Sequence, residues 1–371
     1  MQDLQSLVKS IRQTRGIAQT QLATAVGLTR QALGAIESGR YIPNTAVALR
    51  LARALGCRVE DLWVGTADQP TVPVAVVGGA PPGTRVSLAR VRQRVIAYPL
   101  SGDRVVEEGF APADGQLLAE GASARLHDRD GDLDASALLL GCDPAFRLLT
   151  HHLARSGRRL IWRSTASTAA LTALAAGETH LAGTHLTRID GEPADLGPAE
   201  AALKATGGSI VTFARWEQGL MVAPGNPHDL RSVADLADPR LRIINREIGS
   251  GSRRLLDDLL GQAGMPGTAV RGYERLARSH LDAARRVAVG EADAALGLRA
   301  AALACGLDFV PLIQVRCDLA VPTDLDEHPV VAAVLDALQS AALRADLASL
   351  PGYESGDTGT VVTAIPLVGK N

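Results

Sequence analysis

Cysteine is scarce in this chain and never paired: Cys57, Cys142, Cys305 and Cys317 form no C-x-x-C spacing and sit in apolar segments. That excludes a disulfide framework or a sequence-local zinc motif and fits reduced, mostly buried thiols. No uninterrupted apolar run approaches the roughly 20 residues of a membrane span, and nothing near Met1 resembles a secretory h-region. A cytoplasmic protein with no membrane partner is the expectation. Also missing are a G-x-S-x-G elbow, a P-loop, H-E-x-x-H and a dinucleotide fingerprint, so neither an enzyme nor a bound cofactor is expected. The only adjacent histidines, His151 and His152, would point apart on a helix, which favours a solvated surface over a metal site.

Charge of one sign is nearly balanced overall, at −2, but not locally. Residues 1–66 carry eight Lys/Arg against four acids, leaving a head of +4 and a remainder of −6. A basic head on a mildly acidic body points to a polyanion met by the head alone. The 371 residues have room for two or three domains.

Leu4, Leu7, Val8 and Ile11 make one apolar helical stripe ended by Gly16. A second short helix runs over 19–25, Gly27 is a turn, Thr29 an N-cap and 30–38 a third helix; Asn44 caps a fourth, closed by Gly56. The run from Gln19 to Pro43 resembles the Cro/phage-repressor (XRE) helix-turn-helix family over residues 4–64. By that resemblance Arg12 and Glu37 match the family's internal ion pair. The resemblance implies that Gln19 meets a phosphate and that Thr29, Arg30 and Gln31 open the recognition helix, with Arg40 beside them. Double-stranded operator DNA, bound by a homodimer, is the implied partner. Arg and Gln suit guanine and adenine in the major groove.

Residues 67–75 read as a linker, and 76–135 as a small β-rich module of short alternating runs. Asp128 to Asp134 has a calcium-loop flavour but lacks the closing Glu, so a solvated loop is expected. From Ala137 strands and helices alternate, which implies a parallel sheet whose ligands bind beyond the strands' carboxyl ends. Those ends offer Cys142-Asp143, Arg163 to Ser167, Gly183 to His185, Gly249 to Arg253 and Gly297 to Arg299.

The most informative of them is Arg242 to Arg254, a β-rich run, a Gly-Ser-Gly-Ser turn and a helix start carrying Leu255, Leu256, Leu259 and Leu260 on one face. Free first-turn amides, the helix dipole, hydroxyls and Arg253 together favour an anion. An ordinary capped helix is the alternative.

With Glu217 to Leu236, Gly272 to Glu274, Ser279-His280 and Gly290 to Gly297, this stretch makes residues 137–360 similar to the periplasmic-binding-protein-like domain. The subgroup suggested is the molybdate-binding-protein-related domain fused to helix-turn-helix regulators. The fold class implied is multidomain: an all-α head over 1–66, the β-rich module, and an α/β two-lobed type II domain over 136–366. Lobe one would be 137–222 with 316–365, and lobe two 223–315, crossing at Leu220 to Ala223 and Ile313 to Arg316.

Carried over from that resemblance, Ser164, Thr165 and Ser167 face Arg246, Ser250, Gly251, Ser252 and Arg253 across a cleft, with Tyr273, Ser279 and His280 as weaker candidates. The implied effector is an oxyanion such as molybdate or tungstate, although the cations at Arg163 and Arg246 suit a small carboxylate equally. A ligand-free dimerisation scaffold and, further off, an enzyme built on the two lobes are the competing readings.

Overall fold

The computed structural model describes residues 4–65, 70–100, 111–118, 122–127, 133–185 and 196–367. The Asp128 to Asp134 loop lies largely outside them, as do residues 67–69 of the expected linker. The chain divides into two compact units, Met1–Val72 with Arg125–Asp130, and Pro73–Ala124 with Gly131–Asn371.

The first unit holds α1 (Val8–Thr14), α2 (Gln19–Ala25), α3 (Arg30–Glu37) and α4 (Thr45–Leu55). Thr29 Oγ1 accepts from Ala32 N at 3.1 Å and Asn44 Oδ1 from Val47 N at 3.0 Å, so both caps form on their helices. Val8, Leu22, Leu33, Ile36, Leu51, Leu55 and Leu62 close the core; each buried Leu contributes roughly 1.5–3 kcal/mol. Leu4 departs from the expected helix. It lies in β1 (Leu4–Ser6), antiparallel to β2 (Trp63–Gly65), so a strand partner far along the chain overrides its helical spacing and the head is not purely α.

In the second unit, β3 (Ala75–Val76), β4 (Arg85–Val91), β5 (Arg94–Pro99) and β6 (Gly115–Leu117) belong to one sheet. β4 and β5 join through a two-residue turn at Arg92-Gln93, Arg92 standing at φ 55°. Ala89, Val91, Ile96 and Tyr98 pack against Leu138, Leu140, Ile161, Leu171 and Leu174 of the following layer, so the β-rich module shares a core with the α/β region.

That region is built on a ten-stranded sheet. Its first part contains β7 (Ser136–Leu140), α5 (Phe146–Arg155), β8 (Arg159–Arg163), α6 (Ser167–Ala175), β9 (Leu181–Thr184) and α7 (Gly197–Leu203). β9 starts at Leu181, and Thr179 just before it turns its hydroxyl onto the Leu138 carbonyl at 2.9 Å. β7 pairs in parallel with β8 and β9.

Two long antiparallel strands, β10 (Gly208–Val222) and β14 (Asp308–Pro322), run through both lobes. Between them in sequence lie β11 (Ile243–Arg246), α8 (Gly251–Gln262), β12 (Leu276–Ala277), α9 (His280–Ala288), β13 (Ala294–Leu298) and α10 (Arg299–Ala304). After β14 come α11 (Pro329–Gln339), α12 (Ala341–Ala348), β15 (Tyr353–Glu354) and β16 (Val361–Ile365). On β10, Trp216 pairs with Tyr353 while Gln218 pairs with Leu298. A register shift at Gln218/Gly219, opposite Ile313 and Pro311, lies just before the stretch Leu220 to Ala223.

Candidate functional site

In the head, Thr29, Arg30, Gln31 and Arg40 are exposed, and Gln19 is half-buried. Gln19 is held at both ends: its Nε2 donates to Glu37 Oε2 at 3.0 Å and its Oε1 accepts from Arg30 Nε at 3.1 Å. Glu37 also takes Arg12 Nε at 2.6 Å and Nη2 at 3.1 Å. The pair raises the Arg12 guanidinium above its ordinary value, chiefly through the hydrogen bond to Glu37. A buried ion pair thus anchors Gln19, the first side chain of α2, and Gln19 in turn holds Arg30, the first of α3. Arg40 Nε donates to Ser38 Oγ at 2.9 Å.

The second assembly lies where the lobes meet. Gly249 turns at φ 88°, in the left-handed region a side chain strains to enter, and delivers Ser250 to the N-cap of α8. Ser250 Oγ accepts from Arg253 N at 3.2 Å, as an ordinary capping serine does. From lobe one, the start of α6 comes against this turn: Thr168 N donates to the Gly249 carbonyl at 3.2 Å. Gln218 Nε2 on the crossing strand donates to Ser252 Oγ at 2.5 Å. At Gly251 a Cβ would sit 2.5 Å from the His185 ring and 2.6 Å from its backbone oxygen, so only glycine admits this approach.

Ser164, Thr165, Ser167, Arg246, Ser250, Ser252 and Arg253 are all buried, as is Gly251. Their cations are already engaged. Arg246 makes a two-pronged pair with Glu247, Nε at 3.0 Å and Nη2 at 3.1 Å. The Arg253 guanidinium lies 3.9 Å over the Tyr273 ring, with Nε 3.3 Å from Asp257. Tyr273 in turn donates to Asp257 Oδ1 at 2.5 Å. Arg163 Nη2 donates to Ser87 Oγ of the β-rich module at 2.6 Å, tying lobe one to that layer. Arg299 reaches Glu217 at 2.7 Å. Ser279 caps α9, accepting from Asp282 N at 3.0 Å.

Four buried groups join the site that sequence spacing brings together only through the fold: Cys142, His185, Trp216 and His280. Cys142 Sγ lies 3.2 Å from His185 Nδ1, and Ser167 Oγ 3.3 Å from the same nitrogen. Trp216 faces both imidazoles, at ring-centre distances of 4.9 Å to His185 and 5.5 Å to His280. Burial, with the Arg246 charge nearby, holds His185 down to about 3 and His280 well below its ordinary value. Burial likewise pushes the Cys142 thiol up to about 12. All three are therefore uncharged at neutral pH. Asp143 takes the Tyr353 hydroxyl at 2.6 Å and Ala145 N at 2.9 Å, and burial lifts its carboxyl to about 6.

The family model described as "PBP superfamily domain" matches residues 150–339, and one described as "Helix-turn-helix" matches residues 8–62. The uncharacterized protein YvgK of Bacillus subtilis (strain 168) is 30% identical over 247 residues, 66% of this chain and 80% of the relative. An uncharacterized HTH-type transcriptional regulator of Methanothermobacter thermautotrophicus is 42% identical over 62 residues, 16% of this chain and 90% of its own. Among solved structures, a putative phosphate ABC transporter substrate-binding protein with bound phosphate from Clostridium perfringens aligns at 12% identity and a TM-score of 0.44. That alignment covers 59% of this chain and 99% of that one. The family match spans just over half of the chain, and the chain belongs to the PBP superfamily, with an XRE-type helix-turn-helix domain at its N-terminus.

Proposed function

We propose that the protein is a one-component transcriptional regulator, binding operator DNA as a homodimer through α3 and sensing a small anion between its two lobes. The observation that carries this reading is the meeting of helix starts from opposite lobes, α6 and α8, through Thr168 and the Gly249 carbonyl at 3.2 Å. Helix N-termini supply amide donors and positive potential to an anion. Ser164, Thr165 and Ser167 would meet it from one side, and Gly251, Ser252 and the Ser250 turn from the other. Arg246 adds a fixed positive field, moderated by Glu247, and Arg253 extends the same helix start.

In the head, Gln31 and Arg30 read base edges, Thr29 and Arg40 meet the backbone, and Gln19 sets the register of the recognition helix on its phosphate. Lobe closure is the signal. A tenfold change in DNA affinity needs about 1.4 kcal/mol of preference for one state. One charge-assisted hydrogen bond, at roughly 1.5–3 kcal/mol, supplies that.

Calorimetry of the full chain against molybdate, tungstate, sulfate, phosphate and small carboxylates tests the reading. One of them should bind, Ser167→Ala and Ser252→Ala should each weaken it, and operator affinity should change on its addition. A chain that binds none of them, with operator affinity indifferent to all, is a dimerisation scaffold. Turnover of the bound compound would make it an enzyme.

A further inference from the structure

We infer that Cys142, His185 and His280 form a binding site for one transition-metal ion of the zinc class, held between the lobes. Cys142 follows β7 and His185 follows β9, parallel neighbours whose register pairs Leu139 with Leu181. That register sets Cys142 opposite Thr184, one residue short of His185, and the two side chains meet beyond the strand ends, Sγ 3.2 Å from Nδ1. His280 comes from the other lobe, as the first residue of α9. The three donor atoms lie within 4.8 Å of one another.

Each residue is almost wholly buried, at 3%, 2% and 1% exposure. A buried imidazole ordinarily bonds at one nitrogen or both. Neither nitrogen of His280 has a hydrogen-bond partner among the described residues. A donor without a partner, aimed at a thiol and a second imidazole, is what a ligand set looks like before its ion arrives. Metal–sulfur and metal–nitrogen bonds of about 2.3 and 2.0–2.1 Å place tetrahedral ligands about 3.3–3.6 Å apart. Contraction by at most about 1.5 Å therefore suffices, and Cys142 and His185 already stand at 3.2 Å.

The donor types choose the ion. A thiolate with two imidazoles favours Zn²⁺, Co²⁺ or Cu⁺ over Mg²⁺ or Ca²⁺, which take oxygen ligands. Neutral imidazoles are ready to coordinate, whereas Cys142 gives up its proton to solvent as the metal–sulfur bond forms. The adjacent Arg246 charge is offset by its two bonds to Glu247, so the ion meets little net repulsion. Three protein ligands leave a fourth position for water or a small anion. Two ligands stand on lobe one and one on lobe two, so the ion ties the lobes together and its binding favours the closed form.

The test uses the full chain, stripped with a chelator and titrated with Co²⁺ in the absence of DNA and of any candidate anion. We expect one equivalent bound, with tetrahedral visible bands and a thiolate charge-transfer band in the near ultraviolet, both bleached by Zn²⁺. Cys142→Ser should abolish the charge-transfer band. His280→Gln should weaken binding at least about 100-fold, the upper end of what even a supporting partner of a ligand is worth. Absence of the spectrum in the native chain overturns the inference. So does an unchanged spectrum in either variant, which would place the ion elsewhere, for instance at His152 and Asp346, which lie 2.7 Å apart. The outcome is independent of the oxyanion titration, so either proposal can fail alone.

Discussion

Glu37 is the single side chain on which the DNA-reading head is most exposed to damage. It holds three donors, two from Arg12 at 2.6 and 3.1 Å and one from Gln19 at 3.0 Å, and the ion-paired side chains are only 10% and 4% exposed. Glu37→Leu leaves the Arg12 guanidinium buried with one bond, to the Ile17 carbonyl at 2.9 Å. Stranding a buried charge costs roughly 3–5 kcal/mol, while replacing both partners by apolar groups of similar volume is often close to neutral.

The total stability of a domain is roughly 5–15 kcal/mol, so the single variant removes a large share of it. For a domain this small each kcal/mol moves the midpoint by about 4–8 °C, a fall of at least about 12 °C. Arg12→Met should cost a similar amount, and the double variant much less than the two singles together. Amide exchange of peptides from residues 8–62 in the full chain reads the head's stability without disturbing the second unit. Losses below about 1 kcal/mol for each single variant, the worth of an exposed pair, would refute the reasoning. Glu37→Leu should also loosen Gln19, and with it Arg30, so operator affinity falls even where the head stays folded.

Gln31→Ala should relax base preference in a randomised-operator selection, with half-sites about 34 Å apart; unchanged preference would mean that α3 is not the reading helix. Gln19→Ala should weaken every sequence alike, because it removes a contact to the DNA backbone. Gly251→Ala should wedge the lobes apart, since its Cβ would stand 2.5 Å from the His185 ring; small-angle scattering should report a larger radius while the melting of the lobes changes little, and an unchanged radius would count against the close approach. Arg253→Ala should lower stability without effector, by roughly 0.5–2 kcal/mol for the lost contact with Tyr273, read as a lower melting temperature. Operator affinity without effector should stay put, and loss of the effector response with no loss of stability would instead assign this guanidinium to the ligand.

What could be read from the sequence was what local physics decides. Thr29 and Asn44 mark their helices because a capping oxygen acts on amides three residues away. The Gly249 to Ser252 turn stands out because glycine and serine at a strand-to-helix junction have few other uses. Leu4 was misleading because its strand partner, Gly65, is remote in sequence and competes with the helical spacing. Arg163 and Arg253 illustrate a second limit. A sequence marks a charge but not its direction, and these two point at Ser87 and Tyr273. Cys142, His185 and His280 illustrate a third: no spacing rule joins them, and only the parallel pairing of β7 with β9 and the return of α9 bring them together.

The way the lobes are joined explains how so small a ligand effect can matter. β10 and β14 stay paired through the crossing, where their ladder is irregular at Gln218/Gly219, opposite Ile313 and Pro311. A Cβ on Gly219 would collide with the Val310 carbonyl, so the backbones there approach more closely than any other residue permits. Polar contacts such as Thr168 to Gly249 and Gln218 to Ser252 join the two lobes. Each is worth roughly 0.5–1.5 kcal/mol net. Under the proposed function, the balance between open and closed lobes turns on terms of that size. One additional anchor shared between the lobes, whether an anion at the helix starts or a metal ion among Cys142, His185 and His280, is of the magnitude that shifts such a balance by one or two powers of ten.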